Sequence, residues 1–270
     1  MDVEVGIPQG YILGPLLFLL YINDIYKISS KLSYILFADD TNIFVKGKSL
    51  PDVCKIINSE LEYLNKWLQA NKLSLNVSKT NCMILSSSGK IFDKMKCKIN
   101  INGPELIFVN ETKFLGIIVD NKLSWKSHIN HVHSKISKGV GILYRARQLV
   151  YGETLQTLYE SLIKPYFEYC VTIWGNTYNT YLNKLHLLQK KLVRILTYSD
   201  YIAPTKGLMK ARKIMTIYAM HKYYVGLFVY KSLNNLFPDF MCNIFKPNIN
   251  ARNSLNLHVF YCKRKWLNLI

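Results

Sequence analysis

Residues 34–45 read Tyr-Ile-Leu-Phe-Ala-Asp-Asp-Thr-Asn-Ile-Phe-Val, and this stretch decides the fold of the first half of the chain. Two runs of β-prone residues flank the polar pair Asp39-Asp40, which predicts a β-hairpin with its turn at the carboxylates. Adjacent carboxylates repel each other and cannot both be buried unpaired. A divalent cation such as Mg²⁺ prefers carboxylate oxygens and would relieve this repulsion. A solvated turn that binds no ion is the alternative interpretation.

Helical and strand patterns alternate on both sides of this hairpin. Pro15 is suited to the first turn of a helix, and the helix over 16–22 is apolar on all sides, so we expect it to be buried. Pro51 begins a second helix, which carries an apolar stripe and stops at Asn71. Further strands are predicted at 82–85, 99–101, 106–109 and 114–119.

The pattern becomes helical after about residue 120 and stays so. Apolar residues recur at spacings of three and four in the stretches 129–143, 155–162, 182–195 and 217–236. We therefore predict an α+β fold, with an antiparallel sheet and helices over residues 1–118 and an all-helical region over 119–270.

Positive charge is concentrated in the rear of the chain. Residues 1–115 carry 13 Lys, no Arg and 11 acidic residues, a net charge of +2, whereas residues 116–270 carry 22 basic and 6 acidic residues, a net charge of +16. The sum is the +18 of the whole chain. Such a surplus indicates a polyanionic partner, either nucleic acid or an anionic membrane surface.

Composition excludes several classes of protein. With 50% hydrophobic and 19% charged residues, the 270-residue chain should fold. The longest nearly apolar run, residues 12–22, is too short for a membrane span, which needs about 20 residues, and it lacks the basic flank of a secretory signal. The six cysteines contain no CxxC pair, so we expect buried, reduced thiols. These features predict an intracellular protein, nuclear or cytoplasmic, that is not secreted and has no transmembrane segment.

Several short blocks give the sequence a family resemblance. In chain order they are Gly6-Ile-Pro-Gln-Gly10, Phe37-Ala-Asp-Asp40, Leu73-Ser-Leu-Asn-Val-Ser-Lys-Thr80 and Lys113-Phe-Leu-Gly116. In this order they resemble the reverse transcriptase of non-LTR (LINE-type) retrotransposons, most like the jockey group. Two distal segments, 161–176 and 188–195, are similar to the helical region that follows the polymerase core in the same group.

The resemblance implies a fragment of an RNA-directed DNA polymerase, which extends a primer on an RNA template by two-metal nucleotidyl transfer. Residues 1–118 would be a truncated palm, and residues 119–270 a basic thumb with a distal segment. The implied partners are an RNA template, a DNA primer and deoxynucleoside triphosphates, with Mg²⁺ as cofactor and no membrane. The fingers and the first part of the palm would belong to the missing N-terminal region of the parent polyprotein.

The resemblance also assigns residue roles. Asp39 would bind a metal ion, Asp40 would supply a second carboxylate of the same catalytic site, and Lys79 would lie near the triphosphate. The residues implied to contact nucleotide or template are Gly6, Pro8, Gln9, Gly10, Phe37 and Ala38. Those implied to form the primer grip are Phe114, Leu115 and Gly116.

Two departures from the family pattern bear on activity. The family's palm needs a further metal-binding aspartate on a strand before the Gly6 loop, and the upstream acids Asp2 and Glu4 are too close to the loop for that strand. Tyr11 follows Gly10 where a small residue is usual, so its ring could crowd the nucleotide. We therefore expect an incomplete two-ion site and little polymerisation. A non-catalytic nucleic-acid-binding module and a decayed retrotransposon remnant are the alternatives.

Two weaker features have ordinary structural interpretations. His128, His131 and His133 cluster without a cysteine or carboxylate at metal-ligand spacing, and we expect them on a solvated or DNA-facing helix side. An aromatic group among lysines could stack on single strands, although core packing is expected for at least half of it: Tyr223, Tyr224, Phe228 and Tyr230.

Overall fold

The computed structural model describes residues 10–85, 97–242, 245–247, 257–259 and 267–269. The chain divides into two compact units, Met1–Thr112 with Arg264–Ile270, and Lys113–Lys263. Helices and small sheets are mixed, which is compatible with the α+β class. Within the described ranges no helix is long and apolar enough to cross a membrane.

The first unit combines helices with a small antiparallel sheet. Its helical segments are α1 (Leu13–Ile22), a 3₁₀ turn (Ile25–Ile28), α2 (Leu50–Ala70) and a second 3₁₀ turn (Val77–Lys79). Its strands are β1 (Ser33–Phe37), β2 (Asp40–Gly47), β3 (Asn81–Cys82), β4 (Ile84–Leu85), β5 (Ile107–Phe108) and β10 (Leu267–Leu269). The sheet order is β1-β2-β10-β4, while β3 pairs with β5 in parallel.

The predicted hairpin is confirmed. β1 and β2 pair antiparallel from Ser33↔Phe44 to Phe37↔Asp40, so that only Ala38 and Asp39 form the turn. A two-residue connection of this kind fixes the register of both strands. The turn therefore places the two adjacent aspartates at the tip of the hairpin.

The helix predicted from Pro51 is also confirmed, because its start and its buried stripe agree with the pattern. Ser49 caps α2 by accepting a hydrogen bond from the backbone N–H of Asp52 at 3.3 Å, and Asn71 forms the C-cap. Four residues of the stripe are buried in the core of the first unit: Val53, Ile57, Leu61 and Leu64.

The expectation of reduced thiols is wrong for one pair. Cys54 on α2 and Cys97 form a disulfide, with their Cα atoms 5.9 Å apart. Asn58, one turn further along α2, donates to the carbonyl of Lys98 at 2.8 Å and accepts from the N–H of Asn100 at 3.1 Å. The two cysteines are 43 positions apart, so their pairing depends on a tertiary contact. Cysteine spacing along the sequence therefore could not reveal it.

The expectation that α1 is buried is also wrong. Only Ile22 of this helix is buried, whereas Leu16 and Leu20 are 54% and 67% exposed. Apolar residues surround the helix axis, but in the described part of the chain only one side of it packs, with Phe18 against the core of the first unit. A helix that is apolar on all sides is expected to pack against other residues on all sides. The described residues pack against only one side of α1.

The second unit is mainly helical. Its helices are α3 (Lys126–Ala146), α4 (Gly152–Leu162), α5 (Lys164–Glu168), α6 (Val171–Trp174), α7 (Asn179–Leu196), α8 (Thr205–Ala211), α9 (Ile217–Leu233) and α10 (Asp239–Cys242). Three of the four predicted apolar stripes lie on α3, α4 and α7, whereas the fourth stretch is helical as α9 but has only Ile217 and Met220 as buried apolar residues. α3 packs on both α4 and α7, and the core between the helices includes Ile136, Leu185 and the fully buried Trp174.

Strands in the rear of the chain differ from the prediction. The expected strand at 114–119 is a hairpin, because Leu115 and Gly116 form a turn between β6 (Glu111–Phe114) and β7 (Ile117–Asp120). β8 (Phe245–Pro247) and β9 (Leu257–Val259) form an antiparallel pair, so residues 119–270 are not entirely helical. These strands are only three or four residues long, too short for a clear alternation of apolar and polar residues.

The carboxylate of Asp120 organises the entry into α3. Its oxygens accept hydrogen bonds from the backbone N–H groups of Lys122 at 3.1 Å, Ser124 at 3.0 Å and Trp125 at 2.7 Å. Trp125 has a φ of +63°. The carboxylate thus supports a left-handed residue at the N-cap of α3 and satisfies N–H groups of the turn that leads into the helix.

We expect Asp120→Ala to destabilise the second unit by about 2–3 kcal/mol, because three N–H groups lose a charged acceptor. Hydrogen exchange of the α3 amides measures this free energy. Asp200→Ala is the matched control, since the Asp200 side chain is exposed and forms no hydrogen bond within the described ranges. Equal protection of the α3 amides in the two variants would contradict the role of the Asp120 carboxylate in holding the turn before α3.

Candidate functional site

The two aspartates at the tip of the β1–β2 hairpin are exposed and adjacent. Asp39 lies in the two-residue turn and Asp40 is the first residue of β2. Among the described residues, neither carboxylate takes part in an ion pair or side-chain hydrogen bond. Two carboxylates without protein partners can present oxygen ligands to a cation or remain hydrated, so the geometry permits both sequence-based interpretations.

The turn holds Ala38 in an unfavourable backbone conformation. Ala38 has a φ of +49°, whereas Asp39 does not have a positive φ. A positive φ at the first central position of a two-residue hairpin belongs to the type II′ turn, where glycine is preferred. Non-glycine residues in this region cost about 1–2 kcal/mol. The hairpin tip therefore stores strain next to the two carboxylates.

The other residues that the resemblance assigns to catalysis and nucleotide binding are only partly visible. Lys79 is exposed at the end of the second 3₁₀ turn, and within the described ranges it forms no ion pair with the aspartates. Gly10 is exposed with a φ of +99°, while Phe37 is 60% exposed. The remaining loop residues, Gly6, Pro8 and Gln9, lie outside the described residues.

The Phe114-Leu115-Gly116 segment forms the tip of the β6–β7 hairpin. Leu115 and Gly116 both have positive φ, +44° and +84°. The hydroxyl of Tyr169 donates to the carbonyl of Leu115 at 2.6 Å. A Cβ atom on Gly116 would lie 3.4 Å from the Tyr169 ring, so glycine permits close approach of this ring to the turn.

Tyr169 is in turn positioned by a buried tryptophan. The indole N–H of Trp174 donates to the carbonyl of Tyr169 at 2.8 Å, and Trp174 is fully buried. Cys170, between them, has a φ of +53° and ends the regular helical path between α5 and α6. Sequence reasoning included this segment in the family resemblance but did not assign Tyr169 or Trp174 a role.

Two side chains of α7 bind the backbone of other segments, and sequence reasoning assigned neither of them a role. Gln189, fully buried on α7, accepts from the N–H of Ile217 at 2.8 Å and donates to the carbonyl of Met215 at 3.2 Å. The Nε of Arg194 donates to the carbonyl of Ala203 at 2.9 Å. A glutamine inside an apolar helical stripe is the signal that could have revealed the first of these clamps.

The histidine cluster is not solvated as expected. His128 is 3% exposed, its ring lies 5.6 Å from that of Trp174, and its Nδ1 accepts from the N–H of Ile118 at 3.3 Å. With His131, Tyr166 and Tyr169 it lines a mostly apolar cavity of about 240 Å³ beside the Gly116 turn. Burial, with a smaller effect of His131, lowers the pKa of His128 to about 4. His128 is therefore a neutral core residue at pH 7.

A metal centre of three or more ligands is not present in the described part of the chain, where no group of three His, Cys, Asp or Glu side chains could hold an ion. Asp39 and Asp40 therefore have no third protein ligand within the described ranges.

Comparison with known families finds one family model that matches part of the chain. Residues 2–119 match the family model described as reverse transcriptase (RNA-dependent DNA polymerase), and this range includes the Asp39-Asp40 hairpin and the Leu115-Gly116 turn. The match supports a relationship with reverse transcriptases. No solved structure matches the chain.

Several curated proteins of mobile elements are similar to the chain. The chain is 24% identical over 227 residues to a probable RNA-directed DNA polymerase from transposon X-element of Drosophila melanogaster, covering 80% of this chain and 24% of the relative. It is 26% identical over 218 residues to the RNA-directed DNA polymerase from mobile element jockey of Drosophila funebris, covering 76% and 23%.

A third relative belongs to another element. The Pol polyprotein from type-1 retrotransposable element R1 2 of Nasonia vitripennis is 28% identical over 176 residues, which cover 63% of this chain and 43% of the relative. Because up to 80% of the chain aligns, the similarity extends beyond residue 119 into the helical unit. The chain spans about a quarter of the length of the X-element and jockey relatives.

Replacing Ala38 by glycine should stabilise the β1–β2 hairpin by about 1 kcal/mol, because glycine adopts a positive φ without the Cβ clash. Native-state hydrogen exchange of the β1 and β2 amides reports the change. Ala70→Gly, at the last residue of α2, is the control and should lower stability, because glycine disfavours a helix. Amide protection that falls in both variants would contradict the strain at Ala38.

The low pKa of His128 predicts a pH-dependent stability of the second unit. The unfolded histidine, with a pKa near 6.5, takes up a proton that the folded form excludes, so stability falls as the pH drops below about 6.5. Between pH 7 and 5 the loss due to this residue is about 2 kcal/mol. His128→Asn, whose Oδ1 can replace Nδ1 as acceptor, should show a loss smaller by that amount in urea unfolding. An equal loss of stability between pH 7 and 5 in the unmodified protein and in His128→Asn would exclude His128 as the source of the pH dependence.

Proposed function

We propose that this chain carries the carboxylate site and a nucleic-acid-binding helical unit of an RNA-directed DNA polymerase from a non-LTR retrotransposon. The observation that supports this most strongly is the position of Asp39 and Asp40. They lie exposed at the tip of a two-residue hairpin, without a side-chain partner among the described residues, inside the segment that matches reverse transcriptases. The reaction proposed is extension of a DNA primer on an RNA template by two-metal nucleotidyl transfer.

The donor set at the hairpin tip fits a hard divalent cation such as Mg²⁺. Asp39 and Asp40 offer carboxylate oxygens, and Mg²⁺ in such sites is held by one or two carboxylates together with water and substrate phosphates. The bound ion would supply electrostatic stabilisation of the charge that develops on the transferred phosphoryl group. A further aspartate and the fingers are proposed to come from a region N-terminal to these residues, so the two carboxylates alone are expected to support little polymerisation.

The remaining proposed roles follow the resemblance. Lys79, exposed after a 3₁₀ turn, would neutralise triphosphate charge. The Leu115-Gly116 turn, held by Tyr169, would support the primer. The residues proposed to contact nucleotide or template are Gly6, Pro8, Gln9, Gly10, Phe37 and Ala38. Palm and thumb are the proposed identities of the regions 1–118 and 119–270.

A non-catalytic nucleic-acid-binding module is the second candidate, and one observation favours it. Residues 116–270 carry a net charge of +16, which is enough to attract a phosphate backbone without any contribution from the hairpin. The two candidates differ in whether Asp39 matters to any measurable property of the protein.

Mn²⁺, used as a paramagnetic substitute for Mg²⁺, tests the carboxylate site directly. Substoichiometric Mn²⁺ should broaden the amide signals of residues 37–41, and an RNA–DNA template–primer with a deoxynucleoside triphosphate should strengthen the effect because phosphate oxygens add ligands. Asp39→Asn and Asp40→Asn should each weaken Mn²⁺ binding about tenfold or more, since each removes a charged ligand.

Asp200→Asn, an exposed carboxylate in the second unit, is the control and should leave this broadening unchanged. Unchanged Mn²⁺ binding in Asp39→Asn and Asp40→Asn would reject the proposed metal site. Nucleic-acid binding that persists in those variants would then leave the binding module as the function.

A further inference from the structure

Arginine has a restricted distribution in this lysine-rich chain. The sequence contains 29 Lys and 6 Arg, and all six arginines follow residue 116. Of the four within the described ranges, Arg147, Arg194 and Arg212 each contact a tyrosine ring or a backbone carbonyl near the ends of α3, α7 and α8. Arginine differs from lysine in having a planar guanidinium that stacks on aromatic rings and binds phosphate bidentately.

Tyr198 lies at the centre of this arrangement. The guanidinium carbon of Arg147 is 5.2 Å from the centroid of the Tyr198 ring, and the Tyr198 hydroxyl donates to the carbonyl of Val150 at 3.0 Å. A Cβ atom on Gly152 would be 3.9 Å from both the Tyr198 ring and Nη2 of Arg212. Arg147 therefore contacts the Tyr198 ring directly, whereas Arg212 and this ring both border Gly152.

Backbone contacts hold the other two guanidiniums in place. Nη2 of Arg212 donates to the carbonyl of Leu196 at 2.9 Å. Nε of Arg194 donates to the carbonyl of Ala203 at 2.9 Å, and its guanidinium carbon lies 5.9 Å from the centroid of the Tyr201 ring. Such anchoring restricts the side chains before any ligand arrives, which reduces the entropy lost on binding.

The surrounding aromatic residues are unusually exposed. Tyr151 is 88% exposed and Tyr201 is 81% exposed, whereas other tyrosines of this unit, Tyr223 and Tyr230, are 54% and 59% exposed. Large rings this open to water mark a binding surface when charged residues surround them. We call this surface the arginine–tyrosine face, and its members are Arg147, Tyr151, Arg194, Tyr198, Tyr201 and Arg212.

The face retains capacity for an anion. A guanidinium has five N–H donors, and the carbonyl bonds of Arg194 and Arg212 each use one. The acidic residues nearest in sequence, Glu153 and Asp200, are exposed, and in the described part of the chain neither pairs with these arginines. Phosphate groups would therefore meet donors that no protein carboxylate occupies.

We propose that the arginine–tyrosine face binds single-stranded nucleic acid, with bases stacking on Tyr151 and Tyr201 and phosphates contacting Arg147 and Arg212. Stacking selects single strands, because bases in a duplex already stack on each other and their faces are closed to side chains. The proposal rests on the proposed function only for the source of the strand, such as the unpaired part of a template. The binding itself does not involve the Asp39-Asp40 site.

Fluorescence anisotropy of the full chain with labelled oligouridylate and oligothymidylate, each about 12 nucleotides long, and a duplex of equal length tests this face. The double variant Tyr151→Ser/Tyr201→Ser should bind single strands about tenfold more weakly or worse and duplex less than about twofold more weakly. Arg147→Lys/Arg212→Lys keeps the charge but loses the planar groups, so it should weaken single-strand binding about fivefold.

Tyr223→Ser/Tyr230→Ser is the matched control, since it removes two exposed rings from α9 without touching the face. A loss in this control equal to that in Tyr151→Ser/Tyr201→Ser, or equal losses for duplex and single strand, would overturn the proposal. So would undiminished binding in the face variants with an unchanged circular dichroism spectrum. RNA and DNA strands that bind equally support stacking, and a preference for RNA adds a contact to the 2′-hydroxyl.

Asp39→Asn separates this proposal from the polymerase proposal. It should leave single-strand affinity unchanged, because the carboxylate belongs to the other unit. Loss of Mn²⁺ binding without loss of strand binding supports both proposals. If the chain does not bind Mn²⁺ but binds single-stranded nucleic acid through the arginine–tyrosine face, only the metal site is rejected.

Discussion

The hydrogen bond from the Trp174 indole to the carbonyl of Tyr169 supports much of the second unit's geometry. It fixes the backbone at the break between α5 and α6, where Cys170 adopts a left-handed conformation. This fixes the direction of the Tyr169 side chain, whose hydroxyl in turn supports the Leu115-Gly116 turn. Two consecutive hydrogen bonds thus connect a fully buried indole to the turn of the β6–β7 hairpin, and loss of the bond to Tyr169 would leave a buried N–H donor unsatisfied.

Acidic and basic groups are used differently in the two units. In the first unit, the informative feature is a pair of carboxylates that have no side-chain partner in the described part of the chain and lie beside a strained alanine. In the second unit, it is a set of guanidiniums already held by rings and carbonyls. A cation and a polyanion are the respective complements of these groups. The proposed function needs both, because nucleotidyl transfer combines a divalent cation with phosphate-bearing substrates.

Local sequence patterns were sufficient to predict elements that are defined by a tight turn, by a helix cap or by a long apolar stripe. The β1–β2 hairpin, α2 with its Ser49 cap, and the stripes of α3 and α7 all follow from spacing and turn residues. Contacts between distant residues could not be predicted this way, as the Cys54–Cys97 disulfide and buried His128 show. For the site, the position of Asp39-Asp40 was predictable, whereas the face around Tyr198 arises only when three helix ends meet.

The position of β10 has a consequence for the order in which the protein folds. Leu267–Leu269 lies between β2 and β4, although more than 180 residues separate β10 from either strand along the chain. During synthesis every residue of the second unit is added before β10. The helical unit, whose contacts are local, can therefore begin to fold while β2 and β4 still have unpaired edges. The first unit is consequently the last to close, and its open strand edges are the chain's vulnerable surface for chaperones or aggregation in that interval.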